Sequence, residues 1–433
     1  MKTLLLADAE GQQLKWQEKF FYWLVVVFFI SLFIPRAPVA SNIILGAFVI
    51  LSFIYNSVKE KVLLLKQRPF VALIILYYLL HVVSMLWSVD KSEATTQLAI
   101  RLPILFLPLA IGTIFIKQEL ADRMLLAIAL ITTAVAVISL GLSFSQYIKT
   151  GNSGLLYNDS LTVHFRQQSI YVAMLVNLSI AGIVYLLQQK RTAQSLQGLL
   201  YLSLIILFVY HFLLASRSAM LLLYGSLLIF AFYHVIQKRK YLEGATLVLG
   251  LVIGAFMLFK FFPKTVQRFK ELAYTNFNFE SKAAESHYDM KLDSAQWNGA
   301  NTRLALWQCG WELAQKNMLT GVGIGDRVTE MNKVYKEKNF EMAIETKKNV
   351  HNSYLDAWLT FGTGGAVLFL FGFALLPLLY AVRSGNGYNL FVVTVFAVSM
   401  LFEVYIGRSF GCMLLGFFYP FIAATKKEVM ADY

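Results

Sequence analysis

The sequence predicts an all-α polytopic membrane protein, and two observations support that fold class. Of its 433 residues, 58% are hydrophobic and only 15% are charged, whereas soluble domains are about 45–50% apolar and about 25% charged. Apolar runs of about 20 residues, the length that crosses a bilayer as a helix, recur along most of the chain. The mean hydropathy of +0.60 agrees with this class.

About twelve segments qualify as transmembrane helices by length and apolarity. They lie near residues 20–34, 39–55, 70–88, 98–116, 124–145, 167–187, 197–215, 218–236, 243–262, 353–382, 388–405 and 409–425. A polar stretch of mixed charge precedes the first segment, so we expect no cleaved signal peptide. The segments divide the chain into an N-terminal bundle of about nine helices (1–262), a large polar loop (263–352) and about three C-terminal helices (353–433).

The distribution of Lys and Arg among the connections predicts the orientation of the chain. One set of alternate connections contains Lys59, Lys61, Lys66, Arg68, Lys117, Arg123, Lys190, Arg191, Lys238, Arg239, Lys240, Arg383, Lys426 and Lys427. Short loops rich in Lys and Arg stay in the cytoplasm, whereas long loops cross the membrane largely regardless of charge. Both termini are therefore predicted to be cytoplasmic and the large loop extracytoplasmic. The same bias explains the net charge of +13 without a nucleic-acid partner.

The large loop contains one helical pattern and a glycine run. Between Thr302 and Met318, apolar residues recur at spacings of three and four: Leu304, Trp307, Trp311, Ala314 and Met318. This predicts an amphipathic helix that lies against the membrane surface or the helix bundle, with Asn301 or Thr302 as its N-cap. Glycines at 321, 323 and 325 then predict a turn. They follow a helix instead of a strand, so they do not indicate nucleotide binding.

Four arginines stand at membrane boundaries or in very short loops on the extracytoplasmic side: Arg101, Arg166, Arg217 and Arg408. A charge inside the membrane costs about 2.5–3.5 kcal/mol on insertion scales, so such a set favours a polar cavity or an anionic partner. Any one of them can instead extend to the head groups. Arg217 differs, because it lies in a tight reversal among small residues, where its planar guanidinium suits a phosphate.

Arg303 and His351 are candidates within the large loop. Arg303 opens the predicted loop helix, whose N-terminal N–H groups favour an anion; the alternative is a simple exposed arginine. His351 lies where the loop meets the next apolar run, and a histidine there can accept a proton near neutral pH. The alternative is that His351 caps the following helix, a role that Asn352 or Ser353 can also take.

Glu403 falls inside the predicted span 388–405, near Arg408. An unpaired carboxylate within a membrane is expensive. We therefore expect Glu403 to pair with an arginine and to orient its neighbours instead of acting as an acid.

Three segments, in order, resemble motifs of the O-antigen ligase family, which also contains the Wzy-type polysaccharide polymerases and bacterial protein O-oligosaccharyltransferases. The first is ASRSA at 215–219. The second is TRLALW at 302–307, ending in LTGVGIG at 319–325, and the third is HNSYL at 351–355 with glycines from Gly362 to Gly365. The resemblance covers about Leu200 to Phe421, and the first half of the chain agrees only in hydropathy.

The resemblance implies a GT-C-like fold and a glycosyltransferase of lipopolysaccharide biosynthesis. Such an enzyme moves a glycan from undecaprenyl diphosphate to an acceptor hydroxyl, such as one on lipid A core or another glycan or protein, at the periplasmic face of the bacterial inner membrane. His351 would be the catalytic base, and Arg217 and Arg303 would bind the diphosphate. Supporting residues would be Arg101, Arg166, Asn352, Tyr354, Glu403 and Arg408.

The reaction is expected to need no metal or other cofactor. Two arginines supply the positive charge that a diphosphate leaving group requires, and no pair of acidic residues with obvious divalent-metal spacing faces the same side. Direct attack by the hydroxyl would then invert the anomeric carbon.

Three other functions remain open on sequence grounds. A polymerase of the same family would use another lipid-linked repeat as the acceptor, and a protein O-oligosaccharyltransferase would use a protein hydroxyl. A polysaccharide or lipid transporter belongs to another class. It would carry charged residues through the bundle from face to face, whereas here they gather at one face, and no internal repeat of transporter type is visible.

Overall fold

The computed structural model describes residues 15–35, 38–189, 193–236, 239, 241–261, 266, 269–283, 285 and 296–426. The first helices are α1 (Trp16–Ser31), α2 (Pro38–Tyr55), α3 (Val58–Gln67), α4 (Pro69–Ser84), α5 (Lys91–Arg101), α6 (Pro103–Ile111), α7 (Gln118–Thr150), α8 (Asn158–Thr162), α9 (Ser169–Gln188), α10 (Gln194–Leu214), α11 (Arg217–Ile236) and α12 (Tyr241–Phe261). The others are α13 (Asn301–Lys316), α14 (Arg327–Glu337), α15 (Glu341–Glu345), α16 (Ser353–Leu370), α17 (Leu376–Arg383), α18 (Gly387–Ser399) and α19 (Ser409–Ala424).

Several predictions fall outside the described residues. They are the boundary predicted at 262 and 263 and the basic residues Lys190, Arg191, Lys238, Lys240 and Lys427. Within the described ranges, short 3-10 turns occur at Ser153–Leu156, Val163–Phe165, Glu271–Ala273 and Tyr405–Gly407, and a π-helical turn, Phe371–Leu375, joins α16 to α17.

Each of the twelve predicted segments overlaps a helix of the structure. Five stretches are long and apolar enough to cross a membrane, namely Lys91–Ile111, Gln118–Thr150, Ser169–Gln188, Gln194–Leu214 and Ser353–Arg383. The bent pair Asn42–Tyr55 and Val58–Gln67 makes up to six. The described chain is therefore an α-helical, multi-pass membrane protein, and the count of twelve stays a prediction.

Helix α3 was not predicted, because its sequence is a short basic connection without a full apolar run. The chain bends by 101° between α2 and α3. Ser57 and Glu60 form a capping box at the start of α3, in which the Glu60 carboxylate accepts the Ser57 N–H at 2.7 Å. This reciprocal bonding stabilises a helix start without help from burial.

Polar contacts at the two ends of α4 separate the connections into two groups. Immediately before its first residue, Arg68 Nη1 donates to the carbonyls of Gly112 and Ile114 at 2.7 Å. Just beyond, Ile116–Lys117 (β1) pairs in parallel with Thr425–Lys426 (β2). Past the far end of α4, the Val89 N–H donates to the Asp326 carboxylate at 2.7 Å. The predicted cytoplasmic connections thus meet at one end and the large loop at the other.

Helix α19 lies at the centre of the bundle. Every residue from Phe410 to Ala424 is buried, α6 packs against this helix, and Phe28 and Phe29 of α1 contact Phe417. The Phe417 ring contacts Phe29 edge-on with centroids 4.9 Å apart. The loop from 400 to 408, which leads into this helix, is therefore anchored to the rigid core.

The large loop is locked to α16 through two glycines. Gly362 interrupts α16 with φ of +68° and ψ of −170°, and Gly321 has φ of +66°. A Cβ on Gly321 would overlap the Thr360 backbone, and one on Gly362 would overlap the Leu319 carbonyl. Only glycine combines these conformations with so close an approach. The glycine run is therefore a docking turn.

Hydrogen bonds complete this lock. The Val322 and Gly323 N–H groups donate to the Leu359 and Thr360 carbonyls at 2.9 Å, and the Thr363 N–H donates to the Met318 carbonyl at 2.7 Å. The break in α16 leaves backbone N–H and C=O groups without partners inside the helix, and the loop supplies their hydrogen bonds.

The predicted loop helix exists as α13, but of the predicted stripe only Ala314 is buried and Trp307 half-buried. Its buried apolar residues are Ala305, Leu306, Cys309, Leu313 and Ala314, whereas Leu304, Trp311 and Met318 of the predicted stripe are exposed. The helix has two apolar stripes, and the tighter one, made of small and branched residues, packs inward. The N-cap prediction was also wrong: Ala300 takes that position, and the Asn298 side chain accepts the Asn301 N–H at 3.1 Å.

Candidate functional site

His351 sits immediately before α16 in a rarely populated backbone conformation, with φ of +47°. Such a conformation costs about 1–2 kcal/mol for a residue other than glycine. The Asn349 side chain accepts the His351 N–H at 2.8 Å, and Trp307 Nε1 donates to its carbonyl at 3.4 Å. These neighbours thus fix the His351 backbone, and the side chain remains 22% exposed.

His351 pairs with Glu403, which corrects the sequence prediction in two respects. Helix α18 ends at Ser399, so Glu403 lies in the loop from 400 to 408 and not inside a span. Its partner is His351 and not an arginine, with Nδ1 and Oε2 2.9 Å apart. An Nδ1–H held by a carboxylate leaves the lone pair on Nε2, the state that a general base needs.

Glu403 is suited to remain charged. Burial raises the pKa of its carboxyl, but the charge and hydrogen bond of His351, the charge of Arg303 and the Val404 N–H together outweigh burial. The net result is a pKa below the usual range for a glutamate. The expected orienting role of Glu403 agrees with this environment and stays a prediction.

Ser353 ties the histidine segment to the loop from 400 to 408. Its hydroxyl donates to the Glu403 carbonyl at 2.7 Å and accepts the Tyr405 N–H at 3.2 Å, while its N–H donates to the Met400 carbonyl at 2.8 Å. The two partners of the His351–Glu403 pair are therefore fixed relative to each other by backbone contacts as well.

Two residues of the histidine motif have evident structural roles. Asn352 is the N-cap of α16, since its side chain accepts the N–H groups of Tyr354 and Leu355 at 3.0 Å. The cap is therefore Asn352, which leaves the His351 side chain available. The Tyr354 hydroxyl donates to the Ala397 carbonyl at 2.9 Å and joins α16 to α18.

Arg303 lies in the first turn of α13, directed at the loop that holds Glu403. Its Nε donates to the Phe402 carbonyl at 3.1 Å, and its Nη1 donates to the Gly299 carbonyl at 2.5 Å. The residue is half-buried. The guanidinium is thus fixed beside the His351–Glu403 pair.

Arg217 begins α11, after a reversal in which Ala215 has φ of +50°. Its Nη1 lies 3.3 Å from the Glu271 carboxylate, which is itself buried. Its Nη2 lies where a Cβ on Gly299 would be, and Arg303 Nη1 lies 3.3 Å from that same point. The two arginines therefore meet at Gly299, although 86 positions separate them along the chain.

Arg101 belongs to a different, fully buried cluster. It is 0% exposed, its Nη1 donates to the Gln97 side chain and carbonyl, and its Nε and Nη2 have no hydrogen-bond partner among the described residues. Nearby, Arg327 Nη1 makes bonds of 3.0 and 2.8 Å to both oxygens of Asp356. This ion pair holds α14 against the first turn of α16, behind His351.

Arg166 and Arg408 are brought together, but in a separate cavity. Both are exposed, and both line a cavity of about 340 Å³ at the ends of α1, α9 and α19. The structure thus divides the predicted arginines among three places.

An apolar groove of about 780 Å³ opens beside Asn352, the residue that follows His351. Its lining includes Asn352, Tyr354 and Trp358 of α16, Trp307 and Trp311 of α13, and apolar residues of α18. A groove of this size and character fits an extended hydrocarbon chain, and its polar end lies at the histidine motif.

Sequence reasoning missed Glu271, Gly299 and the Arg327–Asp356 pair. A buried glutamate in a polar loop gives no periodic signal, and the approach of Gly299 to two arginines depends on distant segments. Asp356 at the start of an apolar run could have been recognised, because a charge there needs a partner. Among the described residues, no three His, Cys, Asp or Glu side chains come together as a metal site would require.

Residues 200–370 match the family model described as O-antigen ligase. The matched range contains all three motifs, so the match confirms the resemblance over this part of the chain. The match suggests ligase or polymerase-type activity. A comparison with curated proteins found no match.

Proposed function

We propose that this protein is a membrane glycosyltransferase that moves a glycan from undecaprenyl diphosphate to an acceptor hydroxyl, with lipid A core as the acceptor. The observation that carries the proposal is the meeting of Arg217 and Arg303 at Gly299, beside the His351–Glu403 pair. Two cations and an oriented base are the groups that such a transfer needs.

His351 is proposed as the general base. Its Nε2 takes the proton of the acceptor hydroxyl as that oxygen attacks the anomeric carbon from the face opposite the diphosphate. The bond between that carbon and the diphosphate oxygen breaks in the same step, so the configuration inverts. Glu403 holds the Nδ1–H and stabilises the positive charge that develops on the ring.

Arg217 and Arg303 are proposed to bind the diphosphate from two sides. Negative charge on this leaving group grows as the bond breaks, so fixed guanidinium groups stabilise the transition state more than the bound donor. Glu271 partly offsets the charge of Arg217 and orients it before the donor arrives. The arginines provide the positive charge that other enzymes take from a metal ion.

The apolar groove between α13, α16 and α18 is proposed to hold the polyprenyl chain. Its hydrocarbon surface continues from the histidine motif along α16, which is long and apolar enough to cross the bilayer. A donor lying there would place its diphosphate near the arginines and its tail in contact with lipid.

For the whole chain we propose twelve spans in a GT-C-like arrangement, with the bundle (1–262), the large loop (263–352) and the last helices (353–433) as its three parts. Both termini would be cytoplasmic, and the site would face the periplasm from the inner membrane. The Lys and Arg bias of the short connections supports this orientation.

Transfer to another lipid-linked repeat, which would make the protein a polymerase, is the main alternative. The same base and arginines would serve, because only the acceptor differs. No feature of the described residues favours a protein acceptor or transport.

The test is transfer by the purified protein from a defined polyprenyl diphosphate glycan, with lipid A core and a second lipid-linked repeat offered separately. We expect transfer to lipid A core, and loss of about 10²–10⁴-fold in His351→Ala. Asn386→Ala is the matched control, since it removes the N-cap of α18, outside the proposed site, a loss worth about 1 kcal/mol. Elongated lipid-linked product would identify a polymerase, and equal activity in wild type and His351→Ala would refute the proposed base.

A further inference from the structure

The cavity that contains Arg166 and Arg408 lies apart from the two arginines proposed for the donor. Its polar lining comes from Arg166, Gln167, Gln168, Arg408 and Ser409, and its apolar wall is formed by Leu32, Ile34, Phe165, Phe410 and Met413. At about 340 Å³ it falls within the range of small-ligand sites.

Neither guanidinium has a hydrogen-bond or ion-pair partner within the ranges that the structure describes. Two exposed arginines at one cavity repel each other unless an anion lies between them. Guanidinium groups bind phosphate oxygens in pairs, with a geometry that a lysine cannot reproduce.

The segment that carries Arg166 is held in place. Arg166 has φ of +53°, a conformation rarely adopted by residues other than glycine. The Thr162 hydroxyl donates to the Gln167 carbonyl at 2.6 Å, and the Gln167 side chain donates to the Leu32 carbonyl at 2.9 Å. The backbone of Arg166 is therefore fixed before any ligand binds.

One aromatic ring joins the two arginine segments. Phe33 packs edge-on against both Phe165 and Phe410, with centroids 5.6 Å apart in each case. Phe165 precedes Arg166, and Phe410 lies two residues after Arg408, which is the N-cap of α19. The first residues of α19 also line the cavity, so the positive end of that helix faces the same space.

The cavity is linked to the His351–Glu403 pair by a short path. Tyr171, which lines the cavity, packs edge-on against Tyr405 with centroids 5.2 Å apart. Tyr405 in turn donates its N–H to the Ser353 hydroxyl at 3.2 Å. The loop from 400 to 408 therefore has Glu403 toward the histidine and Arg408 at the cavity.

We propose that Arg166 and Arg408 form a second anion site, which binds the phosphate of a membrane amphiphile, and that this amphiphile is the acceptor. The combination of two arginines with an apolar wall favours a phosphate attached to a lipid over a free phosphate ion. Assignment of the amphiphile as acceptor rests on the proposed function, whereas binding of the phosphate does not.

Binding is tested first, without any transfer. Short-chain phosphatidic acid, the matching diacylglycerol and inorganic phosphate are titrated against the full chain in lipid nanodiscs, in the His351→Ala background. We expect phosphatidic acid to bind, diacylglycerol not to bind, and inorganic phosphate to compete only weakly. Arg166→Gln and Arg408→Gln should each weaken the binding of phosphatidic acid about tenfold or more. Lys149→Gln, an exposed cation outside the cavity, is the control.

Equal binding of phosphatidic acid to wild type and to both arginine variants would overturn the site. Tight binding of inorganic phosphate, lost in the same variants, would overturn the assignment to an amphiphile.

The acceptor role is tested by kinetics with lipid A core, with and without its phosphates. We expect both arginine variants to raise KM for the phosphorylated acceptor and leave KM for the donor unchanged. Removal of the acceptor phosphates should raise the acceptor KM of the wild-type protein to the value of the variants. Unchanged acceptor KM would refute this role. If the wild-type protein shows no transfer at all, while the arginine variants still bind phosphatidic acid more weakly than wild type, the proposed function fails and the anion site stands.

Discussion

Nδ1 of His351 and Oε2 of Glu403 lie 2.9 Å apart, joining the end of the large loop to the loop that leads into the last helix. The two residues are 52 positions apart in the chain. This contact fixes which ring nitrogen carries the proton, and the Ser353 contacts to the same loop keep the pair aligned.

We predict that Glu403→Gln reduces transfer by about 10- to 100-fold, the value of one hydrogen bond to a charged group. The amide keeps the size of the side chain but cannot stabilise a positively charged imidazole. The measurement is kcat at saturating donor and acceptor, with Asn386→Ala, which removes the N-cap of α18, for comparison. Activity close to wild type would show that Glu403 only supports the fold.

The same variant should differ from wild type in its acid stability. The pKa of Glu403 is lowered in the folded protein, so the pair stabilises the fold above the ordinary glutamate pKa of about 4.3. That contribution is lost as the pH falls through the lowered pKa. The difference in Tm between wild type and Glu403→Gln should therefore be present at pH 7 and shrink in strong acid. A difference independent of pH would point to packing alone.

We predict that Arg217→Lys and Arg303→Lys each impair transfer strongly, although charge is kept. A lysine cannot form the paired bonds that a guanidinium makes to phosphate. Both arginines meet at Gly299. The fold loss of transfer rate in the double variant should therefore be smaller than the product of the two single losses.

The measurement for this pair is single-turnover transfer across the four variants, with a divalent chelator present. Near wild-type rates in either lysine variant would refute the diphosphate assignment. Activity that vanishes on chelation and returns with a metal would show that another cation neutralises the diphosphate.

Gly299→Ala is predicted to impair transfer without unfolding the protein. The added methyl would overlap Arg217 Nη2 and crowd Arg303 Nη1, and these flexible side-chain ends can move apart. We expect Tm to stay near wild type while transfer falls. Gly364→Ala is the matched control, because a Cβ there meets nothing within 4 Å. Equal activity in the two variants would mean that the spacing of the arginines is unimportant.

The orientation of the chain predicts a labelling pattern. In intact spheroplasts, a membrane-impermeant amine reagent should modify Lys282 and Lys333, whose side chains are 80% and 61% exposed, and should leave Lys59 and Lys66 unmodified. Lysis should expose the second pair, which is also on the surface. The reverse pattern would place the proposed site in the cytoplasm.

The sequence predicted the helices well, because apolar length and basic connections are local signals. It also selected Arg217, Arg303 and His351 individually. It did not find that Glu403 faces His351, because the end of α18 at Ser399 depends on contacts made by Ser353 and not on local hydropathy. The inward stripe of α13 was missed because small residues such as Ala305 give a weak apolar signal, although they pack most closely.

The sequence also could not predict which arginines lie close together. Arg101, Arg166 and Arg408 share one pattern, a cation at a membrane boundary, yet one is buried within the bundle and the other two share a cavity. Which cations come together depends on how helices pack, and hydropathy carries no information on that point.

The interlocked backbone at Gly321 and Gly362 means that residues 318–327 of the large loop form a fixed wall and not a lid. Lifting it would break the backbone bonds of Val322, Gly323 and Thr363 together with the Arg327–Asp356 pair. Under the proposed function, substrates carried on lipids would then enter sideways from the bilayer, and opening of this wall would not limit turnover. We predict that the amides of Val322 and Gly323 exchange hydrogen equally slowly with and without donor, as measured by mass spectrometry. Faster exchange during turnover would show that the wall opens.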